Sequence, residues 1–327
     1  MRIETPSRLH FTLIDLNGSL GRIDGSVGAA LEYPNWIINV EASEKLEVKV
    51  SGEARPAEIK KLILKFSRRY GIEPNFYVEV SGGIPRHIGL GSTTQLALGV
   101  AYALAKISGV DASLRELAYA MGRGGTSGIG VAAFEAGGVI VDGGHSFGPK
   151  KHKKTFLPSR YSRAPPPPVL ARYYPPKDWL WVVVAPLGYR GAHGHREAEI
   201  FRRSCPISEA EVEKLSRIIL MKLMPALAEF DIESFGESLN SLQTLGFKKL
   251  EVRLAGRLPR KLMELMREQG AYGAGLSSFG PAVYGLTLGR KKAENLAKAS
   301  RELLEAENQP YTVFYSETNR EGAKVSA

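Results

Sequence analysis

The spacing of apolar positions changes along the chain, and each change marks an element. Residues 1–50 read as β-rich: the stretches RIETPSRLHFTLIDL and SVGAALEYPNWIINVEAS carry β-branched and aromatic residues between turns. The helical pattern AEIKKLILKFSRRY follows at 57–70, with Gly71 placed to close it. NFYVEVSG alternates as a strand does, and a glycine-rich turn leads into a helix over 92–108. Ser113 and Glu116 in SLRE form a capping box that opens another helix, and GGVIVDGG reads as a short strand. In the second half WLWVVVAP is a strand, long helical patterns fill 208–247 and 259–269, and AVYGLTLG, KKAENLAKASRELLEAE and YTVFYSE read as strand, helix and final strand.

Strands and helices alternate irregularly in both halves. This predicts an α+β fold of two lobes, with mixed or antiparallel sheets carrying helices, rather than a doubly wound parallel sheet. The boundaries fall at 1–150 and 177–327, with 151–176 between them. From Lys150 to Pro176 the chain has seven Lys or Arg, no acid, and four consecutive prolines, Pro165 to Pro168. That segment is a solvated connector or a basic lid over an anionic substrate.

Composition narrows the function. Among 327 residues, 43% are hydrophobic and 24% charged, as in a globular protein with a substantial core. The single cysteine, Cys205, forbids an intramolecular disulfide and reads as inert. The N-terminal stretch has no apolar h-region, and WLWVVVAPL falls far short of the ~20 residues of a membrane span. A cytoplasmic protein with no membrane partner is expected. The net charge of +10 fits a basic surface, nucleic acid or a small polyanion. No zinc-finger spacing or RNA-recognition signature is present, so nucleic acid is not an expected partner.

Three glycine-rich stretches carry the candidate chemistry. In IPRHIGLGSTTQLALG, Gly89 and Gly91 precede Ser92, Thr93 and Thr94 at the start of a helix. Flexible backbone, unpaired helix N–H groups and hydroxyls together make an anion site, although a plain N-cap and tight turn would give the same residues. The stretch is neither a Walker A loop nor a dinucleotide fingerprint. GRGGTSGIGVAAFEAGG adds seven glycines with Arg123, Thr126 and Ser127. GAYGAGLSSFGPAVYGL adds Gly275, Ser277 and Ser278. Three such stretches suggest one cleft lined by backbone donors.

TPSRLHFTLIDLNG, IPRHIGLGSTTQLALG and GAGLSSFGPAV stand in the order of the three motifs of the GHMP kinase superfamily, which the whole chain resembles. Pro85, Gly89, Leu90, Gly91 and Ser92 match the motif that wraps nucleotide phosphates, with Thr93 and Thr94 in place of its second serine and alanine. The stretch that supplies a catalytic Asp in mevalonate-type kinases has Gly130 at that position. Glycine cannot orient or deprotonate an acceptor hydroxyl. PSRLHFTLIDLNGSLGRIDGSVGAALEYP and GRGGTSGIGVAAFEAGGVIVDGGHSFGPK resemble one branch more closely, the archaeal β-ribofuranosylaminobenzene 5'-phosphate synthases. That resemblance implies a decarboxylating phosphoribosyltransferase of methanopterin biosynthesis. Its substrates would be phosphoribosyl pyrophosphate (PRPP) and 4-aminobenzoate or 4-hydroxybenzoate. Magnesium would be the cofactor, ATP would not be used, and a homodimer is a family-level expectation. An ATP-dependent small-molecule kinase with a relocated base is the competing reading; a non-catalytic sensor is a third.

The expected site follows from these stretches. Asp15, Asp24 and His10 are the candidate catalytic groups. Arg8, Asn17, Arg22 and Ser26 line the ribose or acceptor site, with Arg8 opposite the benzoate carboxylate. In a strand Arg8, His10 and Thr12 would share one face. Asp15 and Asn17 also fit a simple turn, and His10 a hydrogen-bonded sheet histidine. The three glycine stretches, with Arg190 and His193 of PLGYRGAHGHREAEIF, complete the binding residues. Ser92 and Glu135 are the candidate magnesium ligands, with Asp142 a weaker one.

Overall fold

The computed structural model describes residues 1–188 and 194–326, so the expected ligands Arg190 and His193 lie outside the described residues. The chain opens with β1 (Arg2–Glu4), β2 (Ser7–Asp15), β3 (Arg22–Leu31), β4 (Trp36–Ala42) and β5 (Glu47–Val50). Then come α1 (Pro56–Tyr70), β6 (Phe76–Gly82), α2 (Ser92–Ile107), α3 (Leu114–Ala120), α4 (Ile129–Ala136), β7 (Val139–Asp142), the two-residue β8 (His145–Ser146) and β9 (Val169–Tyr173). Helix α1 ends where its sequence says it should: Gly71 is left-handed, φ 68°, and its N–H returns to Ser67 O. The Ser113–Glu116 capping box forms in full.

The second half runs β10 (Trp179–Pro186), α5 (His195–Ser204), α6 (Glu209–Ile218), a π-helical stretch (Ile219–Leu223), α7 (Met224–Glu229), α8 (Ile232–Leu242), α9 (Gly246–Leu254), α10 (Arg257–Glu268), β11 (Gly273–Leu276), β12 (Val283–Leu288), α11 (Arg290–Ala306), β13 (Tyr311–Ser316) and β14 (Lys324–Ser326). The long helical pattern from 208 therefore breaks into pieces, one at Phe230, whose backbone is left-handed.

Three sheets organise these elements, in the orders β14-β1-β4-β6-β5, β2-β3-β7-β9 with β8 beside β3, and β11-β12-β10-β13. All strand pairs are antiparallel except β5 with β6. This is the expected α+β, two-lobed arrangement, but two boundaries move. Segment 151–176 is no free connector: β9 pairs with β7, inside a sheet of the first lobe. The chain end also returns to that lobe, because β14 pairs with β1 beyond the strand expected to be last.

A bulge joins the lobes. In the β2–β3 ladder His10 pairs with Gly28 and Thr12 with Val27, which leaves Phe11 as the extra residue. Phe11 lies 5.4 Å from the Trp181 ring and 5.2 Å from the Tyr284 ring of the second lobe, and all three are fully buried. The bulge also reverses the pleat, so Thr12 turns away from the face that Arg8 and His10 share; one common face for the three is not what forms.

Candidate active site

The three glycine-rich regions meet. Gly89 and Gly91 adopt φ 99° and 79°, the left-handed region that glycine enters without strain. A Cβ on Gly89 would strike the carbonyl oxygen of Ser277. Gly91 is the N-cap of α2 and has no side chain to cap it, so the first N–H groups of a 16-residue helix open into this turn. The Ser92 hydroxyl is buried without a hydrogen-bond partner, an orphan at the mouth of the turn, and Thr93 and Thr94 are half-buried beside it.

Side chains expected to hold substrate instead hold this loop. Arg8 donates through Nη1 to Gly89 O, and its stem lies 2.9 Å from where a Gly91 Cβ would stand. Burial brings its guanidinium down to about 10, opposed by Glu251. Arg8 therefore braces the loop. Ser277 Oγ donates to Gly89 O at 2.7 Å and accepts from His10 N–H at 3.0 Å, and Ser278 N–H donates to His10 O. Gly275 lies in β11 because Tyr284 and Gln243 leave no room for a Cβ. Ser277, Ser278 and Gly275 thus shape the cleft from behind.

His10 is not placed for proton transfer. Its ring is buried, Nδ1 has no partner, and burial followed by the Lys248 and Arg8 cations holds its pKa well below 6.5. Beneath it lies an ion cluster: Lys248 pairs with Glu251 and donates to Leu276 O at 3.1 Å.

A second network surrounds the N-terminus of α4. Asp24 adopts φ 69° and is buried. Its carboxylate accepts from Lys153 Nζ at 2.9 and 3.1 Å and lies 2.6 Å from His145 Nδ1, while His145 Nε2 lies 2.8 Å from Pro165 O. Thr126 Oγ1 donates to Leu157 O at 2.7 Å, and Arg115 donates to the carbonyls of Pro166 and Pro167. The basic proline-rich segment is strapped to the first lobe by these contacts, and Asp24 is neutralised within it. Asp24 therefore presents no free carboxylate to a sugar.

Next to it Ser26 Oγ donates to Asp142 and lies 2.7 Å from Ser127 Oγ. Asp142 also accepts from Gly128 N–H at 2.9 Å and Gly144 N–H at 3.0 Å, and burial lifts its carboxyl to about 6. Sequence reasoning missed Lys153 and His145 and undervalued Asp142, whose only local signal was an acid closing an apolar strand. Gly130, in the first turn of α4, faces Thr94: a Cβ there would stand 3.1 Å from Thr94 Cγ2.

The groups left accessible lie at the tip of the β2–β3 hairpin. Asp15 Oδ1 accepts from the N–H groups of Asn17 and Gly18, which is the turn reading of this residue. Asn17 donates to Ile207 O at 2.8 Å, so the tip rests on the second lobe, and the exposed Arg22 donates to Gly144 O at 3.2 Å.

Other expected residues fall elsewhere. Arg123 is buried close enough to Lys65 to lower its pKa, and Glu58, which pairs with Arg86, opposes the effect of burial on Arg123 itself. Glu135 sits in the last turn of α4 in an ion pair with Arg172, half exposed, and no group of three His, Cys, Asp or Glu among the described residues is placed to hold a metal. The Ser92 hydroxyl has no partner, whereas Glu135 is engaged by Arg172. Burial pushes the Cys205 thiol up to about 12, consistent with an inert residue. Among the described residues no helix is long and apolar enough to cross a membrane.

Known proteins share this architecture. Residues 57–138 match the GHMP kinases N terminal domain and 223–306 the GHMP kinases C terminal domain. The L. major mevalonate kinase in complex with R-mevalonate superposes with a TM-score of 0.70 at 13% identity, over 98% of this chain and 97% of that one. Homoserine kinase from Cytophaga hutchinsonii gives 0.67 at 17%, over 100% and 97%. These likenesses show the fold alone. At the sequence level the chain is 47% identical over 309 residues to beta-ribofuranosylphenol 5'-phosphate synthase of Methanothermobacter thermautotrophicus, covering 92% of each. It is 44% identical to the protein of the same name from Archaeoglobus fulgidus, covering 88% of each. The chain thus belongs to the beta-ribofuranosylphenol 5'-phosphate synthase family, built on the fold of the GHMP kinases.

Proposed function

We propose that this chain is a beta-ribofuranosylphenol 5'-phosphate synthase that transfers the phosphoribosyl group of PRPP to the ring carbon of 4-hydroxybenzoate. The phenol in the names of its relatives favours 4-hydroxybenzoate over 4-aminobenzoate. Loss of the diphosphate leaves positive charge on the ribose C1. The benzoate carbon that bears the carboxylate, made electron-rich by the para oxygen, forms the new bond to C1. The carbon–carboxylate bond then breaks, its electron pair restores the aromatic ring, and carbon dioxide departs.

The observation that supports this reading is Gly130 opposite Thr94, next to a glycine turn that leaves the first N–H groups of α2 uncapped. The fold keeps its anion cradle at the N-terminus of α2 and has no carboxylate where a kinase would activate a hydroxyl. The nearest acids do not take over that role. Asp142 is fully hydrogen-bonded inside the protein, and Asp24 is paired with Lys153. A leaving group that needs only to be held and neutralised suits such a site better than a phosphoryl donor whose acceptor must be deprotonated.

In this reading the α2 turn, with Ser92, Thr93 and Thr94, receives the diphosphate. Asp15, Asn17 and Arg22 at the hairpin tip are the accessible polar groups left for the ribose phosphate and the acceptor. Ser92, whose hydroxyl has no partner in the protein, is the residue that would hold a magnesium ion, which would supply charge neutralisation of the diphosphate. The step belongs to the supply of the arylriboside of methanopterin, in the cytoplasm. Release of labelled carbon dioxide from carboxyl-labelled 4-hydroxybenzoate, dependent on PRPP, tests the proposal; ADP formation from ATP across a panel of alcohols, with no carbon dioxide released, would overturn it.

A further inference from the structure

Helix α1 buries Ile59, Leu62, Ile63 and Phe66 against the first lobe and turns its other side outward. Along that outer side runs a groove of about 700 Å³, closed at one edge by Ala120 at the end of α3. Its walls carry Lys60, Lys61, Lys65, Arg68 and Arg69, its floor includes the apolar Ala57 and Leu64, and no acid lines it.

What marks this groove is the gathering of five cations around one concavity with no acid in its lining. Other surface cations face acids, as in Lys49–Glu79, Lys222–Glu237 and Lys261–Glu307. Among the described residues none of the five groove cations forms an ion pair. The charges also crowd one another: burial, Arg123 and Lys61 together hold the Lys65 ammonium below its ordinary pKa. Arg123, outside the groove lining but close to Lys65 and opposed by Glu58, has its Nε buried without a hydrogen-bond partner. Like charges gathered around a concavity cost free energy that an anion would recover.

The dimensions choose among anions. From Lys60 to Arg69 the helix rises about 14 Å, enough for two or three adjacent phosphates. The groove volume lies in the range of small-molecule sites, roughly 300–1,000 Å³. A second copy of this chain is a poor occupant, because the protein carries a net charge of +10.

We propose that the α1 groove is a binding site for a small polyphosphate, a molecule with two or three adjacent phosphate groups, separate from the α2 turn. The site does not depend on the catalytic reading above. It gives the protein a second anion site on a helix that packs directly against α2, whose N-terminus forms the phosphate turn.

Calorimetric titration of inorganic tripolyphosphate into the wild-type protein and into the Lys61→Ala/Lys65→Ala/Arg68→Ala variant tests this. These side chains pair with nothing, so the variant should fold and keep its turnover of PRPP and benzoate. One class of tripolyphosphate sites should weaken at least about tenfold, the sum of three modest charge contacts, while any binding at the α2 turn persists. In the wild-type protein with ¹³C-methylated lysines, the Lys65 resonance should titrate at higher pH once tripolyphosphate is bound. Unchanged isotherms for the variant, or a Lys65 titration that does not move, would overturn the proposal. So would tighter wild-type binding of mixed-sequence single-stranded DNA than of tripolyphosphate, lost in the same variant, because the groove would then be a nucleic-acid surface.

Discussion

Lys153 Nζ donates to both oxygens of the Asp24 carboxylate, at 2.9 and 3.1 Å, and both side chains are buried. The pair fastens the basic proline-rich segment to the strand that leads into the candidate site. Lys153→Met would leave the buried Asp24 with His145 as its remaining side-chain partner, at a cost of up to about 3–5 kcal/mol. Urea unfolding should show that loss, and limited proteolysis should cut between 150 and 168 faster. Asp24→Asn combined with Lys153→Met should recover part of the stability, because no buried charge is then left alone.

Ser277 ties three distant parts of the sequence together through one hydroxyl. Ser277→Ala leaves the His10 N–H and one acceptor position of Gly89 O unsatisfied in a buried place, and should cost about 1–3 kcal/mol. Because Gly89 belongs to the turn proposed to bind the diphosphate, KM for PRPP should rise more than kcat falls. Steady-state kinetics beside a denaturation curve checks both.

Much of this could be read from the chain. Gly71 and the Ser113–Glu116 box mark helix ends through local backbone chemistry, and they form as read. The glycine stretches announced a shared cleft because left-handed backbone and close approach need glycine wherever they occur. What failed was the assignment of individual side chains. Arg8, Asp24 and Ser277 look free as sequence and are consumed by partners 81, 129 and 188 positions away. Lys153 sat in a run of cations, which normally marks a solvated face, and only the folded strap brings it to Asp24. The bulge at Phe11 is likewise invisible to a period-two pattern, because the extra residue is set by the pairing partner.

Asp142 gives a pH signature. Its carboxyl is raised from 3.8 to about 6, chiefly by burial. The native state therefore holds this proton more tightly than the unfolded chain does. The resulting stability is fully present below pH 3.8 and is lost as pH rises through about 6. It amounts to up to about 3 kcal/mol. Asp142→Asn removes that titration, so the wild-type and variant urea midpoints should diverge in slope between pH 4 and pH 7. Parallel curves would assign the carboxyl an ordinary pKa.

Gly89→Ala tests the turn itself. The substitution places a methyl group against Ser277 O in a left-handed backbone, and the turn must open to admit it. Displacement of the proposed diphosphate site by an ångström should lower kcat/KM about a hundredfold. Differential binding of pyrophosphate by calorimetry separates this from global unfolding, which circular dichroism would report.

The central claim is that the α2 turn serves a departing diphosphate and that a carbon–carbon bond forms at the ribose. The most direct measurement is carbon NMR of the product made from PRPP labelled at ribose C1 and 4-hydroxybenzoate labelled at the ring carbon that bears the carboxylate. The account predicts a one-bond coupling between the two labelled carbons, with pyrophosphate and carbon dioxide released in equal amounts. A product linked through the phenol oxygen, or a phosphorylated acceptor formed only with ATP, would contradict it.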